Sequence, residues 1–509
     1  MLASIGSGAV VGLSGVLVDV EVDVSSAGLP SFTLVGLPDK AVEESKERVR
    51  SAIKNTGASF PATRITVNLA PADVPKVGPA YDLPIAVGIL VASGQISQVP
   101  NSSLFFGELS LNGDVRHTNG VLSLSYLAKK QGYKRVFVSK IDAKEASLVS
   151  GIDVYPVESL LDLVRHFSGS QIIKVLKSID VSSLLRSTGA DFDFSEIIGQ
   201  EHAKRAMEIA AAGAHNVYMK GAPGSGKTML SRALPGILPK LIPEEALEVT
   251  KIYSITGNLP EGESLITTRP FRSPHHTTSR VGLIGGGTTP MPGEVSLAHR
   301  GVLFLDEFPE FPRNVVESLR QPIEDGVVNI SRAKGAVKYP ANFMLVAASN
   351  PCPCGYYGDE KRECKCLPGS ISRYEKRISG PILDRIDVHL EIMSLETKKL
   401  IDNRNQNVDS SSDIQKRVQK ARDIQTDRFK DTGMRSNSEM TTRSVKNYCA
   451  LGNESSNLLA AATTRMNLSA RSYFKVVKIA RTIADLDGVS KISTSHIAEA
   501  LQYRPRISE

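Results

Sequence analysis

Apolar positions along the chain fall into three regimes. From Met1 to about Ser168, valine-rich runs alternate with helical stretches. Val10 to Val24, broken by glycine, predicts a strand or hairpin; Arg64–Leu69, Val136–Val138 and Val154–Val157 predict further strands. Ala41 to Asn55 places Val42, Val49 and Ile53 on one helical face, Asp82 to Ser93 reads as an apolar helix, and Leu160 to Phe167 as a closing one. The serine-rich stretch Ser178 to Ser187 predicts a linker. From Asp193 to about Ile392 strands and helices alternate, the pattern of a parallel α/β sheet. After a polar run at 402–413 the spacing becomes helical over Ile414–Phe429, Ser455–Met466, Ala470–Asp485 and Thr494–Tyr503. The expected division is therefore 1–170, a linker at 171–192, an α/β domain at 193–395 and a helical domain at 396–509.

At 509 residues the chain is too long for one core and suits about three domains. No apolar run approaches about 18 residues, so no membrane contact is expected, and the N-terminus lacks the charged start and long apolar stretch of a signal peptide. Five cysteines, four of them between positions 352 and 366, argue for a reducing cytoplasm over a disulfide scaffold. The net charge of +7 permits nucleic-acid binding without deciding it, because 61 basic and 54 acidic residues largely interleave. Basic residues do cluster at Arg313, Arg320, Arg332, Lys334 and Lys338, and again from Lys361 to Arg377.

One string narrows the chemistry. Gly221-Ala222-Pro223-Gly224-Ser225-Gly226-Lys227-Thr228 is a complete phosphate-binding loop between a predicted strand, Asn216–Lys220, and a predicted helix, Met229–Leu234. Its glycines let backbone wrap a phosphate, while Lys227 and Thr228 address the terminal phosphates of ATP and its Mg²⁺. Gly301–Leu305 reads as a buried strand delivering Asp306 for the metal shell and Glu307 to polarise an attacking water. Phe343–Ser349 reads as another, ending on Asn350, an amide able to reach a γ-phosphate. Arg385 and Arg471 follow, and arginine suits transition-state charge because it stays ionised and presents a planar fork of donors.

In that order, Asn350, Arg385 and Arg471 resemble the sensor-1, arginine-finger and sensor-2 elements of AAA+ ATPases. More narrowly, Arg272–Ser279, Pro292–His299, Ser379–Asp387, Asn68–Asp73 with Tyr81–Ala86, and Ala480–Leu486 are similar to strings of the ComM/YifB group of magnesium-chelatase-like AAA+ proteins. The similarity runs over nearly the whole chain. It implies a homo-oligomeric ring, a hexamer, in which Arg385 completes a neighbour's site. It also implies DNA-dependent ATP hydrolysis and branch migration during recombination of incoming DNA in natural transformation. Minichromosome-maintenance relatives grip DNA with a β-hairpin before sensor 1; Val327–Val337 has that composition around a Lys-Gly turn, which makes Arg332, Lys334 and Lys338 the candidate contacts to single-stranded or branched DNA. A hairpin whose basic residues merely face solvent is the alternative. Gly285–Gly287 resembles a second mobile loop.

The N-terminal region resembles the α+β peptidase-like domain of Lon, of the ribosomal S5 fold group. Ala80 stands where that resemblance implies a serine nucleophile, and Val121, Leu122 and Ser123 stand near the expected lysine, so the dyad is absent and a non-catalytic role is implied. Cys352-Pro-Cys354 and Cys364-Lys-Cys366, nine residues apart, could close a structural Zn²⁺ site or remain unligated thiols. His275 and His276 are adjacent, which makes them a poor pair of metal ligands; a structural role is expected, with contact to DNA, nucleotide or a neighbouring subunit as the alternative. Two other functions stay open: an accessory ATPase of metal insertion like the magnesium-chelatase I subunit, and protein remodelling.

Overall fold

In the computed structural model the structure describes all residues except 26–28, 188, 333–334, 360, 394–408 and 506–509. The chain forms two compact units, Met1–Leu184 with Pro243–Ile266, and Leu185–Ile242 with Thr267–Glu509.

The first unit is built on a seven-stranded mixed sheet. Its strands are β1 (Leu2–Val11), β2 (Ser14–Val24), β3 (Ser31–Val35), β4 (Arg64–Ala70), β5 (Ser103–Phe105), β6 (Arg135–Ser139) and β7 (Asp153–Val157), in the order β3-β4-β2-β1-β5-β6-β7. The valine-rich N-terminus becomes the antiparallel β1–β2 hairpin, with Val18, Val20 and Val22 fully buried at every second position. Over that face lies the helix Asp82–Ala92, apolar almost all round and buried almost all round. Its first residue, Asp82, is buried against the Arg48 guanidinium (2.6 Å and 3.1 Å); burial pushes its pKa up to about 6, against the pull of Arg48.

Residues 243–266 depart from the expected division, which left them in the nucleotide-binding region. The helix Pro243–Thr256 buries Ala246, Val249 and Ile252 within the first unit and packs beside the helix Val121–Lys130. The Lys251 ammonium lies 3.6 Å above the Tyr126 ring, and Ser254 Oγ donates to the buried Glu145 carboxylate at 2.5 Å. The expected linker at 171–192 is likewise partly built in: Leu176 N–H donates to Val154 O, and Val181 is buried.

The second unit carries a five-stranded, all-parallel sheet. Its strands are β8 (Val217–Gly221), β9 (Phe271–Arg272), β10 (Val302–Leu305), β11 (Met344–Ser349) and β12 (Val388–Ile392), in the order β9-β10-β11-β8-β12. Both β10 and β11 are buried at every residue, which explains their unbroken apolar runs. The C-terminal helices Ser411–Arg428, Thr442–Tyr448, Asn453–Arg465, Ala470–Leu486 and Thr494–Gln502 share one apolar core with this sheet. They are tied to it by buried charge as well: Lys475 meets Asp387 at 2.9 Å. Burial alone would raise Asp387, but the Lys475 charge and His215 hold its carboxyl well below the usual range. Among the described residues no helix is long and apolar enough to cross a membrane.

Candidate nucleotide site

The loops that leave the C-terminal ends of β8, β10 and β11 come together, where open α/β sheets bind ligands. β8 runs into the predicted phosphate loop, and Lys227 opens the helix Lys227–Ala233. Gly221 lies so close to β12 that a Cβ there would stand 2.4 Å from Ile392 O. Gly224 and Gly226 take φ of 77° and 97°, and no atom lies within 4 Å of where their side chains would begin, which leaves open space above the loop. Ala222 and Pro223 complete the turn. Ser225 Oγ is buried and, among the described residues, has no hydrogen-bond partner.

The buried Lys227 ammonium donates to Gly221 O at 2.7 Å, Ala222 O at 2.9 Å and Asn350 Oδ1 at 3.3 Å. Burial lowers its pKa while the Asp306 charge opposes that shift. Thr228 Oγ1 donates to Asp306 Oδ2 at 2.9 Å, and the Glu307 N–H donates to Asp306 Oδ1 at 2.9 Å. Glu307 has a φ of 51°, rare for a residue with a side chain, and its exposed carboxylate stands 3.3 Å from His276 Nδ1. An ammonium, a hydroxyl beside a carboxylate and an unpartnered buried hydroxyl fit a nucleoside triphosphate, and Thr228 and Asp306 are the residues that could hold Mg²⁺.

Arg385 and Arg471 are elsewhere. Arg385 Nη2 and Nε donate to Glu324 Oε2 at 2.5 Å and 3.1 Å, and Arg471 Nη2 donates to Glu324 Oε1 at 2.5 Å. Arg471 also stands 3.7 Å from Asp384. Hydrogen bonding from Arg385 holds the Glu324 carboxyl below its usual range. Among the described residues neither arginine is bonded to the phosphate loop, Asp306, Glu307 or Asn350. The sequence contains no motif that would have singled out Glu324, and it left His276 between a structural role and a contact to DNA, nucleotide or a neighbouring subunit. Gln200 was also missed: its side-chain amide reaches Ser225 O at 3.4 Å and Met393 O at 2.7 Å.

The expected hairpin is an antiparallel ribbon, Val327–Arg332 with Gly335–Pro340. Its register pairs Arg332 with Gly335, so Gly335 belongs to a strand and not to the turn. Lys334 and the side chain of Arg332 lie outside the described residues; Lys338, opposite Asn329, is exposed. Two of the clustered basic residues are already paired, Arg320 with Glu317 and Arg377 with Glu310. Gly285 and Gly286, expected in a mobile loop, form a two-residue ribbon with Met291–Pro292. The sulfurs of Cys352, Cys354, Cys364 and Cys366 all lie within 4.8 Å of one another, a cluster that could hold a metal ion.

Three family models match the chain: Magnesium chelatase, subunit ChlI over residues 193–400, Subunit ChlI of Mg-chelatase over 20–142, and Magnesium chelatase, subunit ChlI C-terminal over 408–504. The competence protein ComM of Haemophilus influenzae is 43% identical over 99% of this chain and 98% of its own length. The protein YifB of Escherichia coli is 40% identical over 99% of this chain and 97% of its own. The magnesium-chelatase 38 kDa subunit of Rhodobacter capsulatus is 28% identical over 31% of this chain and 50% of its own.

Proposed function

The chain belongs to the ComM/YifB-type family with magnesium-chelatase-like segments, and from that premise we propose that it is an AAA+ ATPase that hydrolyses ATP to move branched or single-stranded DNA. The observation that carries the ATPase reading is the joined pair of contacts Lys227–Asn350 and Thr228–Asp306 at the phosphate loop. In this reading Lys227 and the loop bind the phosphates, Thr228 and Asp306 hold Mg²⁺, Glu307 polarises the attacking water, and Asn350 positions the terminal phosphate. Mg²⁺ supplies charge neutralisation between the phosphates when bound. Arg385 acts on a neighbour's nucleotide in a homo-hexamer, and Arg471 senses it from the helical region. The first unit is a Lon-protease-like module without the serine–lysine dyad, and the protein works in the cytoplasm as a branch-migration helicase of recombination.

Support for DNA as the load comes from the hairpin with exposed Lys338 and from the relative named as a competence protein. ATPase rate with and without single-stranded and forked DNA, at low salt, tests it. Stimulation by DNA is the expected result; an unchanged rate with every DNA overturns the DNA reading and leaves the ATPase standing. The match to a magnesium-chelatase subunit favours a second reading, an accessory ATPase of metal insertion, for which DNA has no effect.

A further inference from the structure

Beside the nucleotide loop stands a group of four thiols that the proposed hydrolysis does not use. Cys352 Sγ lies 3.3 Å from Cys354 Sγ and 3.7 Å from Cys364 Sγ, and Cys354 Sγ lies 3.6 Å from Cys364 Sγ. Cys366 Sγ is within 4.8 Å of all three. Four sulfurs bound tetrahedrally to zinc stand roughly 3.8 Å apart along each edge. A disulfide would require about 2.05 Å, and these cysteines are free.

Neither packing nor hydrogen bonding between thiols explains this convergence. A thiol is a weak donor and a weak acceptor. From Tyr356 to Leu367 no described residue is buried, so the segment has no apolar core to hold its shape. The backbone is nonetheless turned toward the sulfurs: the N–H groups of Tyr356 and Lys365 face Cys354, that of Cys366 faces Cys364, and that of Cys354 faces Cys366. Such N–H groups are the usual outer partners of metal-bound thiolates.

The structure assigns to Cys352, Cys354, Cys364 and Cys366 a structural Zn²⁺ site whose loop braces the phosphate loop. The contact that joins them is Gly355. It has a φ of 87°, its N–H donates to Cys352 O at 2.9 Å, and a Cβ there would stand 2.6 Å from both Cγ and Cδ of Pro223. Cys352 also follows Asn350, the partner of Lys227, by two residues. Zinc fixing Cys352 and Cys354 therefore fixes the turn that backs Pro223 and the strand end that presents Asn350. Four protein ligands leave the metal no open position, so its role is positional and not catalytic. The bracing half of the inference rests on the proposed nucleotide site; the metal half does not.

The test uses the full chain purified without added metal. Elemental analysis is expected to find one zinc per chain, and Cys364→Ser/Cys366→Ser to lose it. Titration with a fluorescent ATP analogue and Mg²⁺ is expected to show affinity weakened by about tenfold to a hundredfold in that variant. Gly355→Ala keeps all four thiols and is expected to retain zinc while losing nucleotide affinity, which keeps the brace testable if the double variant does not fold. Metal-free protein as purified, or iron with visible absorption in place of zinc, overturns the zinc site. Zinc present with unchanged nucleotide affinity in Gly355→Ala overturns the brace. A zinc-loaded native chain that binds no nucleotide sinks the proposed ATP site instead.

Discussion

Two groups of polar and charged residues in the second unit are held in opposite ways. Lys227, Thr228, Asp306 and Asn350 contact one another directly across the ends of neighbouring strands. Arg385 and Arg471 instead converge on one carboxylate, Glu324, on the short helix Arg320–Asp325. The first group is placed by the sheet: register between β8, β10 and β11 brings those residues together whatever else the chain does. The second group is a clasp on one exposed carboxylate: the Arg471 pair is exposed on both sides and exchanges partners at small cost, while the Arg385 side chain is largely covered. A built half and a clasped half teach that the fold joins the phosphate-loop residues to the strand ends but keeps the two arginines occupied. On the proposed function they must leave Glu324 to reach a nucleotide.

The sharpest break of this comparison is Arg385→Ala. The expected outcome is a loss of about 10³-fold or more in ATP turnover with nucleotide affinity kept, read by steady-state rates beside a binding titration. Equal losses in both would move Arg385 into the built half. Next is Glu307→Gln, which keeps shape and removes the charge. Turnover is expected to fall by about 10²–10⁴-fold while ATP still binds; an active variant would reassign the water-polarising role. The smallest effect is expected from Glu324→Ala, which opens the clasp. Because the exposed Arg471–Glu324 pair contributes about 1 kcal/mol or less, freeing it should raise turnover by no more than roughly fivefold. A fall would mean that Glu324 orients the arginines instead of withholding them.

Much of the built half was legible because its chemistry is local. A phosphate loop needs glycines, a lysine and a hydroxyl at fixed intervals, and a buried strand that ends in carboxylates announces itself by its apolar run. The clasped half was legible only as isolated arginines. Glu324 is separated from Arg471 by 147 residues, and no period or spacing in the sequence links them. Residues 243–266 were left in the 193–395 range for a related reason. The apolar residues of the helix Pro243–Thr256 require a partner, but their place in the chain does not say which core supplies it. Gly335 was assigned to the turn by composition, whereas the ladder set by Val328, Ile330 and Tyr339, all buried, decides the register.

By itself, then, the sequence determined the elements and the reactive groups each one carries, because periodicity and loop chemistry act over a few residues. Only the tertiary structure decided which polar group each basic side chain meets: the Asn350 amide beside Lys227, Glu324 between Arg385 and Arg471, Glu307 against His276. It also decided that the thiols of the two C-x-C pairs, nine residues apart, converge, with Gly355 pressed on Pro223. The physical reason is that charge and close packing depend on distance in space, falling off within a few ångströms, while the chain order leaves those distances open until the sheet closes them.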